Sequence, residues 1–247
     1  MKNNFFNLPN VLQSVWRILL PMIGLLIGVN SAIASELSDN DYKVVDDLFK
    51  QDFISKTTEI VKIETFRSAE KQDTEQEKKQ EKEVVKQIAV VRDKFKQWVE
   101  TFNAEQKTLK FEFFEWSQKV DGKQPWLFGF RLGTGKHKVS IITHLDTVAP
   151  GNLSWNPFDA RIEKRTYLGA ETDFLIGRGA LDDKGPAIVS LIALKALAKK
   201  FDGTDKLKDF TMELIFDTSE ETDMSMPHYL EDNNTINPEL GIVYDAM

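Results

Sequence analysis

Gly177-Arg-Gly-Ala-Leu-Asp-Asp-Lys-Gly-Pro186 is the stretch that decides the fold, because it joins a glycine-rich loop to a strongly apolar segment. Pro186 suits the first turn of a helix, where its missing N–H would be unsatisfied in any case. Two adjacent carboxylates, Asp182 and Asp183, stand at the helix entry. A bound cation would relieve their mutual repulsion, and capping of the helix N-terminus is the alternative explanation.

Apolar runs of strand character alternate with helical patterns around this stretch. The strand-like runs are residues 109–113, 126–132, 139–142, 210–216 and 240–244. The helical patterns cover residues 42–66, 88–102, 179–201 and 227–232. Such alternation predicts an α/β fold of three layers, with a mostly parallel sheet and flanking helices.

Composition excludes several classes of function. A chain of 247 residues is long enough for a sizeable core. The formal net charge of -7 argues against a nucleic-acid partner and against an anionic membrane surface. Cysteine is absent from the sequence, so disulfides cannot contribute to stability.

The first 34 residues have the pattern of a signal peptide. An apolar run, Ile18–Val29, is followed by Ala32-Ile-Ala34, which has the small-x-small form of a cleavage site. We therefore expect an exported protein, periplasmic or secreted, that begins at Ser35 and has no stable membrane association after cleavage. The alternative is an uncleaved membrane anchor, for which the apolar run is short.

Side chains that can bind metal follow three of the predicted strands. Ligands in open α/β sheets bind beyond the carboxyl ends of the strands, and His144, the pair Glu220–Glu221 and Asp245 occupy such positions. Asp146 lies on the same side of an extended chain as His144 and can orient its imidazole, although His-Leu-Asp-Thr would also suit a simple strand-end turn. Adjacent glutamates on an extended segment diverge, so one can bind metal while the other acts as a general base.

Taken together, these motifs resemble the zinc aminoacylase/carboxypeptidase/dipeptidase family of metallopeptidases. The resemblance covers roughly Leu109 to Met247 and favours the dipeptidase branch. The stretches that carry it are Ser140–Val148, Trp155–Phe158, Gly177–Pro186 and Thr218–Glu221. Their combination is far more specific than any one of them.

The resemblance implies a site for two zinc ions, with Mn2+ or Co2+ possible in their place. His144 and Asp245 would bind one metal, Asp182 would bridge to the second, and Glu221 would bind that second metal. The domain would then divide into a helical part at residues 35–108 and a metal-binding α/β part at residues 109–247.

The resemblance also implies the chemistry. Glu220 would be the general base, Asp146 would support His144, and the peptide bond between Asp182 and Asp183 would be cis. The expected activity is hydrolysis of a peptide (amide) bond in a small peptide substrate by a metal-activated water, as in a dipeptidase or carboxypeptidase. An N-acyl-amino-acid deacylase is an alternative within the same family.

The chain departs from the family pattern after Asp245. Family members continue into a lid and dimerisation domain and then complete the catalytic domain, which supplies a further histidine. We therefore expect the N-terminal portion only, an incomplete catalytic domain in which dimerisation is unlikely without the lid. The alternatives are a truncated, catalytically inactive fragment and a calcium-binding surface module. Calcium prefers oxygen-only ligands, whereas His144 suits zinc.

Overall fold

The computed structural model describes residues 39–66, 75–118, 125–152, 154–167, 169–232 and 238–245. The signal peptide expected at residues 1–34 lies outside the described residues and stays a prediction. Within the described ranges, no helix has the length and apolar character needed to cross a membrane.

Four helices and seven strands make up the described part of the chain. The helices are α1 (Asp39–Val61), α2 (Glu75–Ala104), α3 (Lys184–Phe201) and α4 (Ser225–Asp232). The strands are β1 (Phe111–Ser117), β2 (Trp126–Leu132), β3 (His137–His144), β4 (Arg161–Tyr167), β5 (Ala170–Ile176), β6 (Phe210–Asp217) and β7 (Leu240–Val243).

Five strands form one sheet in the order β1-β2-β6-β3-β7. β3 pairs in parallel with β6 and with β7, whereas β2 pairs antiparallel with both β1 and β6. The predicted α/β class is confirmed. Four of the five strands of this sheet run in the same direction, and β2 alone runs against them, which makes the sheet mixed. β2 is reversed because a short connection joins it to β1, and strands joined without a crossover run antiparallel.

Helices cover both faces of this sheet. Phe210, Met212, Leu214 and Phe216 alternate along β6 and join the core formed with α1, α2 and α3. Ile215 points to the opposite face, into a smaller cluster with Tyr229 of α4. This alternation is what the two-residue period of a strand dictates, and it produces the three layers expected from the sequence.

The hairpin formed by β4 and β5 was not predicted. All seven residues of β4 are at least partly exposed, and most of them are charged or polar. Ile162 and Tyr167 are its large apolar side chains, and both are about half exposed. A strand without a buried face leaves no alternating apolar pattern to detect.

The mixed sheet brings the carboxyl ends of β3, β6 and β7 to one edge. His144 lies opposite Asp217 at the end of the β3–β6 pair, and Val243 pairs with Ile142. The other end of β3 carries His137, whose Nδ1 lies 2.8 Å from Glu239 Oε1. His137 is therefore separated from the cluster at the carboxyl edge by the length of a strand.

Candidate metal centre

His144 lies at the centre of the acidic cluster at this edge. Its side chain is buried, with Nε2 2.9 Å from Asp182 Oδ1 and 3.9 Å from Glu220 Oε2. On the other side of the ring, Nδ1 lies 3.0 Å from the backbone oxygen of Asp146 and 3.5 Å from its Oδ1. The imidazole is thus held through Nδ1, and Nε2 faces the carboxylates.

His144, Asp182 and Glu221 each offer one ligand atom, and these three atoms lie within 4.8 Å of one another. One imidazole nitrogen with two carboxylate oxygens suits zinc or a similar transition metal better than calcium. Three protein donors are also the number that a catalytic zinc commonly has. The residues present therefore fit the metal that the sequence motifs imply.

Asp245 follows β7 at the same edge but lies outside this trio of ligand atoms. Its charge contributes to raising the pKa values of Asp183 and Glu220, so it belongs to the same electrostatic cluster. The division of His144, Asp182, Glu221 and Asp245 between two metal ions stays a prediction.

The loop before α3 places the two aspartates in different environments. Asp182 faces His144, whereas Asp183 is buried and its Oδ2 accepts a hydrogen bond from the His144 backbone N–H at 3.2 Å. Asp183 occupies the N-cap position of α3 but makes no side-chain capping bond, so capping does not explain its carboxylate. The peptide bond between the two aspartates is cis, as the family resemblance led us to expect.

Two glycines allow this loop to fold tightly. Gly179 has a φ of +85°, a conformation that side chains with a Cβ rarely adopt. A Cβ on Gly185 would lie 2.0 Å from the backbone oxygen of Ala180, so the loop can pack against the first turn of α3 only with glycine there.

Lys184 connects this loop to the end of α1. Its side chain is fully buried, and Nζ donates hydrogen bonds to the backbone oxygens of Ile60 at 3.1 Å and Ile63 at 2.7 Å. Burial lowers the pKa of Lys184 to about 7, although the charges of Asp146 and Glu64 oppose that shift. The lysine thus binds carbonyl oxygens at and just beyond the C-terminal end of α1, where the Ile60 oxygen also accepts from the Ile63 N–H at 3.2 Å.

The segment after α1 also contacts the loop that follows His144. Thr65 Oγ1 donates to the Leu145 backbone oxygen at 2.6 Å, and the Thr147 N–H donates to the Thr65 oxygen at 3.2 Å. Phe66 and Thr147 form an isolated parallel bridge. The metal centre is therefore supported by residues some 80 positions earlier in the chain, which sequence reasoning missed because contacts of this range leave no local pattern.

Asp146 holds the turn that carries the two glutamates. Its fully buried carboxylate accepts hydrogen bonds from the backbone N–H groups of Glu220 and Glu221, both at 3.1 Å. The support of His144 by the Asp146 carboxylate stays a prediction: the backbone oxygen of Asp146 is the nearer atom to Nδ1, at 3.0 Å, and the carboxylate Oδ1 lies at 3.5 Å. The bonds to the glutamate turn are an additional role that the sequence did not indicate.

Burial and charge shift the proton affinities of the cluster. Burial lowers the pKa of His144, but the hydrogen bond and charge of Asp146, the charge of Asp183 and the hydrogen bond of Asp182 outweigh burial and raise that pKa to about 10. The pKa values of Glu220 and Glu221 are raised, mainly by burial and further by neighbouring carboxylates. A metal ion must displace the proton from a histidine nitrogen in order to bind there.

The segment that carries this cluster matches the model of a known protein family. The sequence model described as Peptidase family M20/M25/M40 matches residues 141–245, the segment that carries all six site residues predicted from the sequence. The resemblance indicated by the motifs is therefore confirmed over this segment of the chain.

The most informative relatives are dipeptidases by name. The Bacillus subtilis (strain 168) protein named "Putative dipeptidase YtjP" is 32% identical over 124 residues, which are 46% of this chain and 22% of that protein. The structure of human carnosine dipeptidase 1 matches with a TM-score of 0.54 and 18% identity, over 85% of this chain and 42% of that one.

A second solved structure is also similar to this chain in its fold. Dug1p, a di-peptidase from Saccharomyces cerevisiae, matches with a TM-score of 0.51 and 16% identity, over 83% of this chain and 40% of that one. At such identities the two structures show a common fold. This chain spans less than half the length of each of these relatives.

Proposed function

We propose that the protein is a metal-dependent hydrolase of peptide bonds, and most specifically a dipeptidase. The observation that carries this proposal is the trio of ligand atoms from His144, Asp182 and Glu221, with Glu220 beside it. The family match at residues 141–245 supports peptide-bond hydrolysis, and the names of the relatives support a dipeptide substrate.

The residues of the cluster divide into three roles. His144, Asp182 and Glu221 would hold the metal, and Asp245 would join them, with Zn2+ as the proposed ion and Mn2+ or Co2+ as alternatives. When bound, the metal supplies a Lewis acid that polarises the amide carbonyl and acidifies water. Asp146 would orient the imidazole through its contacts with Nδ1.

Glu220 is the proposed general base. Its carboxylate is close to His144 Nε2 but lies outside the trio of ligand atoms. Burial raises its pKa, which moves a carboxylate towards the range that suits proton transfer near neutral pH. Glu220 would take a proton from the attacking water and pass it to the departing amine.

The cellular setting is proposed from the sequence. The signal-peptide pattern at residues 1–34 supports export to the periplasm or secretion. There the enzyme would act on small peptides.

Metal content and hydrolysis, measured on the full-length protein and two histidine variants, test this proposal. We expect zinc to bind and dipeptides to be cleaved, and we expect both properties to be lost in His144→Ala. His137→Ala is the matched control, because His137 lies at the opposite end of the same strand and pairs with Glu239. If His144→Ala bound zinc and cleaved dipeptides as well as the parent protein, the proposed centre would be wrong.

A further inference from the structure

Asp217, the last residue of β6, is a buried aspartate that neither the sequence motifs nor the family resemblance singled out. Its side chain accepts three backbone hydrogen bonds. Oδ1 accepts from Ser219 N–H at 2.9 Å and from Ser225 N–H at 3.1 Å, and Oδ2 accepts from Met226 N–H at 2.8 Å. The aspartate itself is only 2% exposed.

These three bonds close a loop. Ser219 directly precedes the two glutamates, whereas Ser225 and Met226 begin α4. A single carboxylate therefore binds both ends of the segment 219–225, and Glu220 and Glu221 lie between the two anchoring points. A residue that served only to cap α4 would have no need of the bond to Ser219.

Asp146 holds the middle of the same segment through the N–H groups of Glu220 and Glu221. Together the two buried aspartates accept five backbone N–H groups between Ser219 and Met226. Hydrogen bonds from backbone N–H groups to a carboxylate are stronger than those between neutral partners. The segment is thus held by two carboxylates that approach it from different strand ends.

Neighbouring side chains tie the same segment to β2. Ser225 Oγ accepts from the Trp126 N–H at 3.0 Å and lies 2.7 Å from Ser219 Oγ. Thr218 Oγ1 donates to the Trp126 backbone oxygen. The polar groups around Asp217 are therefore paired with one another, so loosening one contact should affect the others.

We propose that Asp217 is a positioning residue for the metal centre, which fixes the backbone of Glu220 and Glu221 and thereby the places of the general base and of one metal ligand. The assignment of those two roles rests on the proposed function. That Asp217 fixes the backbone of these two residues does not rest on the proposed function, because it follows from the hydrogen bonds alone.

The first test measures amide hydrogen exchange in Asp217→Asn. An asparagine keeps the shape of the side chain but offers one acceptor oxygen in place of two. We expect exchange to accelerate by about 10- to 100-fold at Ser219, Ser225 and Met226, as for the loss of a hydrogen bond to a charged group. We also expect it to accelerate at Glu220 and Glu221, whose own bonds go to Asp146.

The second test measures Co2+ affinity and the visible spectrum of the bound Co2+ in the same variant. Loss of residues that support metal ligands typically weakens metal binding by about 10- to 100-fold, and we expect a loss of this size. A change in the cobalt spectrum would report altered ligand placement, which a general loss of stability would not produce.

Asp202→Asn is the matched control. Asp202 also accepts three backbone N–H bonds, from Lys107, Thr108 and Leu109, but it does so at the far end of α3. We expect it to lower the unfolding temperature while it leaves Co2+ affinity, the cobalt spectrum and exchange at Glu220 and Glu221 unchanged.

Exchange that accelerates in Asp217→Asn only at Ser219, Ser225 and Met226, or Co2+ binding identical to that of the parent protein, would overturn the proposal. If the parent protein bound no Co2+ at all, the proposed function would fail. The exchange at Glu220 and Glu221 would still decide whether Asp217 fixes the turn.

Discussion

Glu220 is the residue whose chemistry is most directly open to test. Replacement by glutamine keeps the size of the side chain and removes its ability to accept a proton. We expect Glu220→Gln to lower the rate of peptide hydrolysis by about 100- to 10,000-fold, the usual effect of losing a general acid–base group. Metal content should remain nearly unchanged, because Glu220 lies outside the trio of ligand atoms.

The measurement pairs turnover with metal analysis of the same preparation. Glu231→Gln, an exposed change in α4, is the control for the substitution itself. A Glu220→Gln variant that lost metal in proportion to activity would show that Glu220 is a ligand instead.

Gly185 is a second position that can be tested by a single substitution, because the loop before α3 leaves no space for a Cβ there. Its Cβ in an alanine variant would lie 2.0 Å from the Ala180 backbone oxygen, and backbone cannot move away as a flexible side chain can. We expect Gly185→Ala to lower the free energy of unfolding by about 1–3 kcal/mol, the usual effect of overpacking a core, and to weaken metal binding through the displaced loop.

Gly241→Ala in β7 is the matched control, because a Cβ there would meet nothing within 4 Å. Urea unfolding of both variants measures the difference. Equal stability of the two variants would show that the loop before α3 can relax around the added methyl group.

Elements with strong local patterns could be predicted from the sequence. β2 was predicted with its observed bounds, Trp126–Leu132, because its apolar residues are nearly continuous. The entry to α3 was marked by Pro186 in its first turn. The place of β2 between β1 and β6 could not be predicted, because strand order depends on pairing between distant segments.

The residues of the candidate site also divide into those with a local sequence pattern and those without one. The side chains with metal-binding chemistry could be found because they directly follow apolar strands. The groups that hold them in place act through backbone atoms. Lys184 and Thr65 bind backbone oxygens of residues far along the chain, and Asp217 binds backbone N–H groups two to nine positions ahead of it. Such contacts impose no residue pattern on their partners, so only the three-dimensional structure shows them.

The end of α3 provides a prediction about pH. Asp202 accepts three backbone N–H bonds from the residues before β1, and these bonds hold its pKa well below the ordinary value. A carboxylate whose pKa is lowered in the folded state stabilises the fold most at pH values above its pKa in the unfolded state, which is about 3.9. This stabilisation decreases as the pH falls towards the folded-state pKa.

We therefore expect Asp202→Asn to lower the unfolding temperature at pH 7 and the difference from the parent protein to narrow below about pH 4. Thermal unfolding across a pH series measures this. A difference that stayed constant down to pH 2, or that widened, would contradict the assignment.

The metal centre gives a prediction for the whole molecule, since an ion that binds only the folded state stabilises it. At a free Zn2+ concentration about 100 times the dissociation constant, the free energy of unfolding increases by about 2.7 kcal/mol. For a protein of this size that corresponds to roughly 5–10 °C in unfolding temperature. Removal of metal with a chelator should lower the unfolding temperature accordingly, and added Zn2+ should restore it.

His144→Ala should abolish this response, and His137→Ala should retain it. The comparison separates binding at the acidic cluster from zinc bound elsewhere on the surface. A response that survived in His144→Ala would place the ion at another site.

The contacts between the end of α1 and the metal centre have a consequence for the order of folding. Thr65 and Leu145 are 80 residues apart, and Lys184 and Ile60 are 124 apart. Contacts across such long loops are costly in entropy, so they tend to form after local pairings such as the β1–β2 hairpin. We expect Thr65→Val to accelerate unfolding and to leave the folding rate nearly unchanged.

Stopped-flow kinetics would measure both rates, and a slower folding rate in Thr65→Val would place this contact in the folding nucleus instead. If the contact forms late, the chain acquires its capacity to hold a metal only in the last stage of folding. Zinc present during refolding would then slow the unfolding of the finished protein without speeding its formation.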